Sequence, residues 1–248
     1  MTDKPKVIRD TDDDARRQAR ILLRGARFAA IGVIDPETGF PFVSRVLLGT
    51  DIDGAAVILV SNLSAHTGAL LADPRASLLT GEPGKGDPLA HPRLTVQCRA
   101  ESVERDSALH ARLRGRFLAR HPKSQLYIDF PDFRFFRLVP EKASLNGGFG
   151  RAYHLGRDDF LIPIPIDNFW EDQESLIRDL GGSKPAIASR IATEIYHAPD
   201  GKWTVCGIDS QGIDLIFKDM LIRHEFVTPV TKKQDLELVL PKTEYTVP

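Results

Sequence analysis

Cysteine is nearly absent: two residues in 248, Cys98 and Cys206, far apart and each inside an apolar, strand-like stretch. That excludes a disulfide framework. It reads as two buried free thiols in a reducing cytoplasm, with a single bridge as the alternative. No CxxC pair, HExxH motif or close His/Cys cluster occurs, so no metal site is expected. No run of about 18 apolar residues exists to cross a membrane. Met1–Pro5 leads into the acidic Asp10–Asp14 stretch without the apolar core of a signal peptide. Charge of one sign is lacking too: the formal net charge is −1, which gives no global pull toward nucleic acid or anionic membrane. Arg112, Arg114, Arg116 and Arg120 cluster locally and read as the solvated face of a helix. No Ser-His-Asp or paired-carboxylate arrangement is recognisable, so catalytic residues stay unassigned.

What is present is an ordinary globular composition, 42% hydrophobic and 27% charged, on a chain long enough for a sizeable core. Residues 1–10 read as a flexible arm and 12–27 as a helix with the apolar stripe Ala15, Ala19, Leu22, Leu23 and Ala26. Strands are predicted over 28–34, 42–49, 56–61, 76–80, 94–103, 133–139 and 142–145, with a helix over 106–121 ended by His121-Pro122. Residues 158–168, with two prolines alternating with Ile, read as a stiff connector. Helices over 169–180 and 184–197, separated by Gly181-Gly182-Ser183, then strands over 203–208, 213–217 and 222–226 and a short helix complete a second module. The fold class is α+β: one antiparallel barrel over residues 1–157, then a small α+β domain over 168–248.

The most informative segment runs from Val57 to Pro74. A β-rich run gives way at Ser61-Asn62-Leu63-Ser64 to a short helix. Ser64 is placed to cap it, leaving the N–H groups of Ala65, His66 and Thr67 at its start. Those donors, the helix dipole, two hydroxyls and a neutral imidazole would suit a phosphate. An ordinary serine-capped corner is the alternative.

Ser44-Arg45-Val46-Leu47-Leu48, Ser61-Asn62-Leu63-Ser64-Ala65-His66-Thr67, Leu71–Leu78, Gly86-Asp87-Pro88-Leu89 and Gly147-Gly148-Phe149-Gly150-Arg151-Ala152 together resemble the FMN-binding split-barrel proteins of the pyridoxamine-phosphate-oxidase-like superfamily. The nearest likeness is the haem-utilisation (HugZ-like) branch, whose small C-terminal domain resembles Trp203–Asp209 and Gly212–Leu215. The resemblance implies a homodimer with FMN at its interface. Ser44, Arg45 and Val46 would then line the phosphate and ring edge, Ser61 and Asn62 the ribityl chain or ring, and Ser64, His66 and Thr67 the phosphate. Arg93 and Gln97 are candidates for the flavin ring, and Arg151 for a small-molecule substrate. The B6 oxidases carry Arg and Lys where this chain has His66 and Thr67, and their Arg-rich C-terminus is missing here.

Three functions follow from the resemblance: an FMN-dependent oxidoreductase, a haem-binding or haem-degrading protein, and a non-catalytic flavin-binding dimer. The haem branch usually offers a His-Met-Asn-type stretch early in its first long C-terminal helix. Here that region reads Leu180-Gly181-Gly182-Ser183-Lys184-Pro185-Ala186-Ile187, without histidine. His197 and His224 stand off that motif.

Overall fold

Side-chain alternation along the strands sets the architecture. In the computed structural model, which describes residues 8–148, 150–163, 172–184 and 186–240, the elements run β1 (Ile8–Arg9), α1 (Asp13–Arg24), β2 (Phe28–Ile34), β3 (Pro41–Leu47), β4 (Gly49–Thr50), β5 (Ala56–Ser61), α2 (Ala65–Ala72), β6 (Arg75–Thr80), β7 (Arg93–Ser102), α3 (Ala108–Arg120), β8 (Phe133–Asn146) and β9 (Ala152–Gly156). These strands form one sheet in the order β1-β9-β8-β7-β6-β2-β3, with β5 pairing the first half of β8 and also β4. All pairs are antiparallel except β1–β9. The sheet curls so that β3 approaches β5 without a hydrogen-bond ladder between them, which is the split of the barrel.

Alternate residues fill the barrel: Ala29, Ile31 and Val33 from β2, Ile58 and Val60 from β5, Leu94 and Val96 from β7. β5 is buried on both faces, because Val57 and Leu59 turn outward under Leu113 and Phe117 of α3. Hence its unbroken apolar run. The α1 stripe packs as read, with Ala15, Ala19 and Leu23 in the barrel core and Leu22 and Ala26 against it. Asp12 caps α1 by accepting the Ala15 N–H at 2.8 Å.

The second sheet is β10 (Thr204–Asp209), β11 (Gly212–Phe217) and β12 (Met220–Glu225), an antiparallel meander. It is covered by α4 (Gln173–Ser183), α5 (Ile187–Arg190) with a π-helical turn over Ile191–Ile195, and α6 (Leu236–Val239).

Several expectations are corrected. Ile8 and Arg9, assigned to a flexible arm, pair in parallel with Ala152 and Tyr153. The two strands expected over 133–139 and 142–145 are one strand. Pro140, which cannot donate to a ladder, sits where the β7–β8 register slips beside Gln97 and Cys98, so the bulge absorbs it. Gly181, Gly182 and Ser183 do not separate two helices but form the last turn of α4. Residues 164–168 of the connector lie outside the described residues. Cys98 and Cys206 are free and buried, and burial pushes both thiols up to about 12.

The arginines of α3 are not a solvated face. Arg116 and Arg120 are 6% and 3% exposed, Arg112 grips Asp51, and Arg114 grips Asp129. The reason is tertiary: the C-terminal module packs on that side of the barrel. Arg116 donates to the carbonyls of Thr50 and Ile208 and to Gln173, joining barrel, β10 and α4. From α1, Arg24 reaches Asp209 at 2.5 Å and Arg20 holds Glu225 with two bonds of 2.9 Å.

Candidate functional site

The pleat sorts the candidate residues into two groups. On β3, Arg45 faces away from Ser44 and Val46, since neighbouring side chains point to opposite sides of a strand. Val46 is a barrel-core residue, 5% exposed, so only its backbone is available to a ligand. Ser44 turns to the α2 corner, where its hydroxyl lies 3.0 Å from Nδ1 of His66.

That corner is only partly the cradle its sequence suggests. The Ser64 backbone is extended at the N-cap position, but its side chain makes no capping bond. Its carbonyl accepts the Thr67 N–H at 2.9 Å, so of the three expected donors only those of Ala65 and His66 lack an acceptor among the described residues. Thr67 is fully buried and gives its hydroxyl to the Ser61 carbonyl at 2.7 Å, which turns it away from any phosphate. Ser61 donates to Asp132, and Asn62 accepts from Arg134. His66 Nε2 is buried with no partner, and burial lowers the imidazole pKa, favouring the neutral ring. The corner therefore offers a hydroxyl, two N–H groups and a neutral imidazole, with the Arg134 guanidinium held at Asn62.

The second group lies on the outer face of the sheet. Strand register sets Arg45, Ala30, Leu79, Thr95, Ser144 and His154 in one row across β3, β2, β6, β7, β8 and β9. The neighbouring row reads Val43, Gly32, Ser77, Gln97, Lys142 and Gly156. Two cavities sit on this face and share Gln97. One, about 390 Å³, lies over Gly32, Ser77 and Arg75; the other, about 360 Å³, is lined by Thr95, Lys142, Ser144 and His154. Arg45 lies over the Phe28 ring at 5.0 Å and pairs with no carboxylate among the described residues. Arg93 faces the same side beside Asn146, its guanidinium near the Leu89 and His91 carbonyls. Arg151 is exposed at the turn from β8 to β9, next to that end of the face.

His154 and Lys142 were not singled out from sequence. The signal was present in the alternation Tyr153-His154-Leu155, buried-exposed-buried, but residues 152–156 were not read as a strand. The imidazole of His154 is exposed and has no side-chain hydrogen bond among the described residues, while its backbone carbonyl accepts the Thr11 hydroxyl at 2.7 Å. Of the two histidines weighed from sequence, His197 is exposed beyond the π turn and His224 contacts the Tyr196 hydroxyl at 3.3 Å. Neither lines the outer face. Among the described residues no group of three or more His, Cys, Asp or Glu could hold a metal ion.

A family model described as pyridoxamine 5'-phosphate oxidase matches residues 15–147, the barrel from within α1 to the end of β8. The chain belongs to this family. It is similar to the non-canonical heme oxygenase HOZ, chloroplastic, of Arabidopsis thaliana, 31% identical over 165 residues, which are 64% of this chain and 50% of that protein. It is 32% identical over 117 residues to heme oxygenase HutZ of Vibrio cholerae, covering 44% of this chain and 64% of that one. The chain thus spans 50% and 64% of the length of these two relatives. A crystal structure of a protein of unknown function from Agrobacterium tumefaciens superposes with a TM-score of 0.80 at 30% identity, covering 96% of this chain and 97% of that one. A heme binding protein from Mycobacterium smegmatis shares the fold, with a TM-score of 0.55 at 24% identity over 96% of both chains. The family match covers the split barrel, and the Agrobacterium structure extends the likeness over the C-terminal module. No helix among the described residues is long and apolar enough to cross a membrane.

Proposed function

We propose that this protein binds haem on the outer face of its large sheet and serves haem utilisation, with haem degradation as its activity. The reading rests on one observation: an exposed imidazole, His154, with no side-chain hydrogen bond among the described residues, lines a cavity of about 360 Å³ together with the cation Lys142. The relatives named as heme oxygenases support it.

The residues present fit such a group. A ring nitrogen of His154 would hold the iron. Ser144 and Thr95, on the next two strands, are short enough to leave room for a flat macrocycle beside the imidazole. Lys142 on one side of that row and Arg93 on the other would meet the propionates through charge-assisted bonds. Arg45 stands five strand spacings from His154, about 24 Å along the curved sheet, and does not line its cavity. Haem supplies the iron chemistry that activates dioxygen when an external reductant feeds it electrons.

A second copy of the chain completes the reading. β3 ends its ladder and exposes Phe42, Val43 and Leu47, with Phe40 74% exposed beside it. An apolar edge strand of this kind needs cover, and a homodimer supplies it while excluding water from the outer face.

The α2 corner supports a second reading, FMN. The unpartnered Nε2 of His66 and the N–H groups of Ala65 and His66 suit a phosphate oxygen. Neither His66 as a neutral ring nor Thr67 carries a fixed charge, so these two positions give a dianion no charge-assisted contact of the kind Arg and Lys would give.

Titration of the purified protein with hemin, and separately with FMN, tests both readings. A saturating Soret band with weak or no flavin binding is expected. Tight FMN binding with no hemin spectrum would replace the haem reading with the flavin one.

A further inference from the structure

Another cleft, of about 370 Å³, opens where the barrel meets the C-terminal module. Leu22 and Ala26 of α1, Phe28 of β2 and Leu79 of β6 form its barrel side, and Leu221 and Ile222 of β12 the other. These side chains are half-buried, except Leu79, which is 45% exposed. Leu22 and Ala26 edge the barrel core and Ile222 edges the C-terminal core, so the two cores approach here without closing on each other. The size falls in the range of small-molecule sites, and water is poorly held against apolar walls.

Few polar groups of the lining are within a guest's reach. Glu82 is exposed and makes no ion pair among the described residues. Tyr196, 37% exposed, donates its hydroxyl proton to the Arg223 carbonyl at 3.1 Å, which leaves its oxygen able to accept. Arg223 also borders the cleft, but its side chain is fully buried with the guanidinium on Asp209 and Asp214. Its Nε and the Thr80 hydroxyl lack partners, yet both are buried beyond contact. The reachable side chains of the lining thus offer apolar walls and hydrogen-bond acceptors, and no donor. Arg45, over the Phe28 ring at 5.0 Å, would repel a guest bearing its own positive charge.

We propose that this cleft binds a small neutral aromatic molecule of about two rings that carries one hydrogen-bond donor, a hydroxyl or a ring N–H. The rings fill the space between the apolar walls, where Phe28 and Tyr196 favour an aromatic guest. The donor meets the Glu82 carboxylate, with the Tyr196 oxygen as a second acceptor. Such a guest touches both modules and bridges them.

The test titrates the full chain with naphthol, followed by its own fluorescence, and with its methyl ether, which has the same rings and no donor. Saturable naphthol binding is expected, with the ether about tenfold weaker. Glu82→Ala should bring the two probes to the same, weaker affinity. Leu79→Asp, which puts a charge on the apolar wall, should abolish the binding of both. Absence of saturable naphthol binding, the result if a second copy of the chain closes the cleft, overturns the proposal. Equal affinity of the wild type for the two probes overturns it too, as does a naphthol preference that survives Glu82→Ala or binding that survives Leu79→Asp. The wild-type comparison and Glu82→Ala decide even if Leu79→Asp fails to fold.

Discussion

The outer face of the sheet and the seam between the two modules use the same charged residue types in opposite ways. On the face, His154, Lys142 and Arg45 stand apart, exposed and without carboxylate partners among the described residues. In the seam, arginines and aspartates are dense, buried and mutually bonded. A paired buried charge holds a structure in register, whereas an unpaired exposed one is available to a ligand. The difference separates the residues that keep the two modules together from those that can recognise something else.

The comparison breaks most visibly at Asp209. Removing it by Asp209→Ala strands Arg24 and Arg223 in the interior, and a loss of about 3–5 kcal/mol is expected from urea unfolding. A loss under about 1 kcal/mol would mean that the seam is wet and its charges independent.

Acid should act next, at a buried histidine beside the seam arginine Arg120. His121 donates its Nε2–H to the Leu48 carbonyl, 2.9 Å away, and burial lowers its pKa from 6.5 to about 4. The unfolded imidazole binds its proton near 6.5, so between those values the unfolded state carries more protons than the folded one. Stability therefore falls as pH drops from 6.5 toward 4, by on the order of 3 kcal/mol. Asp209 acts in a lower window. Burial would raise its carboxyl, but Arg223 and Arg24 outweigh it and hold the group at about 2, so its contribution is lost only as pH falls below 3.8. Unfolding free energies across this range check both windows; a flat profile between pH 6.5 and 4 would contradict the buried, neutral His121.

On the outer face, His154→Ala should change stability by less than about 0.5 kcal/mol, because its ring supports nothing. A loss of 2 kcal/mol or more would make it structural. The smallest effect is expected at Ser64→Ala. A capping serine is typically worth about 1 kcal/mol; with no capping bond made, the change should stay under about 0.5 kcal/mol by thermal unfolding.

These contrasts also mark what was legible in the sequence. Elements with strong periodicity were readable: the α1 stripe from Ala15 to Leu23, the doubly buried β5, and the alternation of β7 from Arg93 to Ser102. So was the family, since its motifs are local strings. The burial of Arg116 and Arg120 was not readable, because nothing on α3 records that β10 and α4 will cover it. His154 escaped for a related reason. A five-residue strand beside glycines gives little periodic signal, and its row with Thr95 and Ser144 exists only once the register of three strands is fixed. The corner misled in the other direction: Ser64 sits at a cap position without bonding, and Thr67 turns inward. A motif fixes residue types and leaves side-chain direction to the packing.

Hemin titration of three chains in parallel, wild type, His154→Ala and His66→Ala, tests the central claim most directly. His154→Ala should weaken binding about tenfold or more and shift the Soret band as the axial nitrogen is lost. His66→Ala, on the far side of β3, should retain the wild-type spectrum and affinity. An unchanged His154→Ala spectrum, or loss of the band in His66→Ala instead, would move the haem off the outer face and contradict the account.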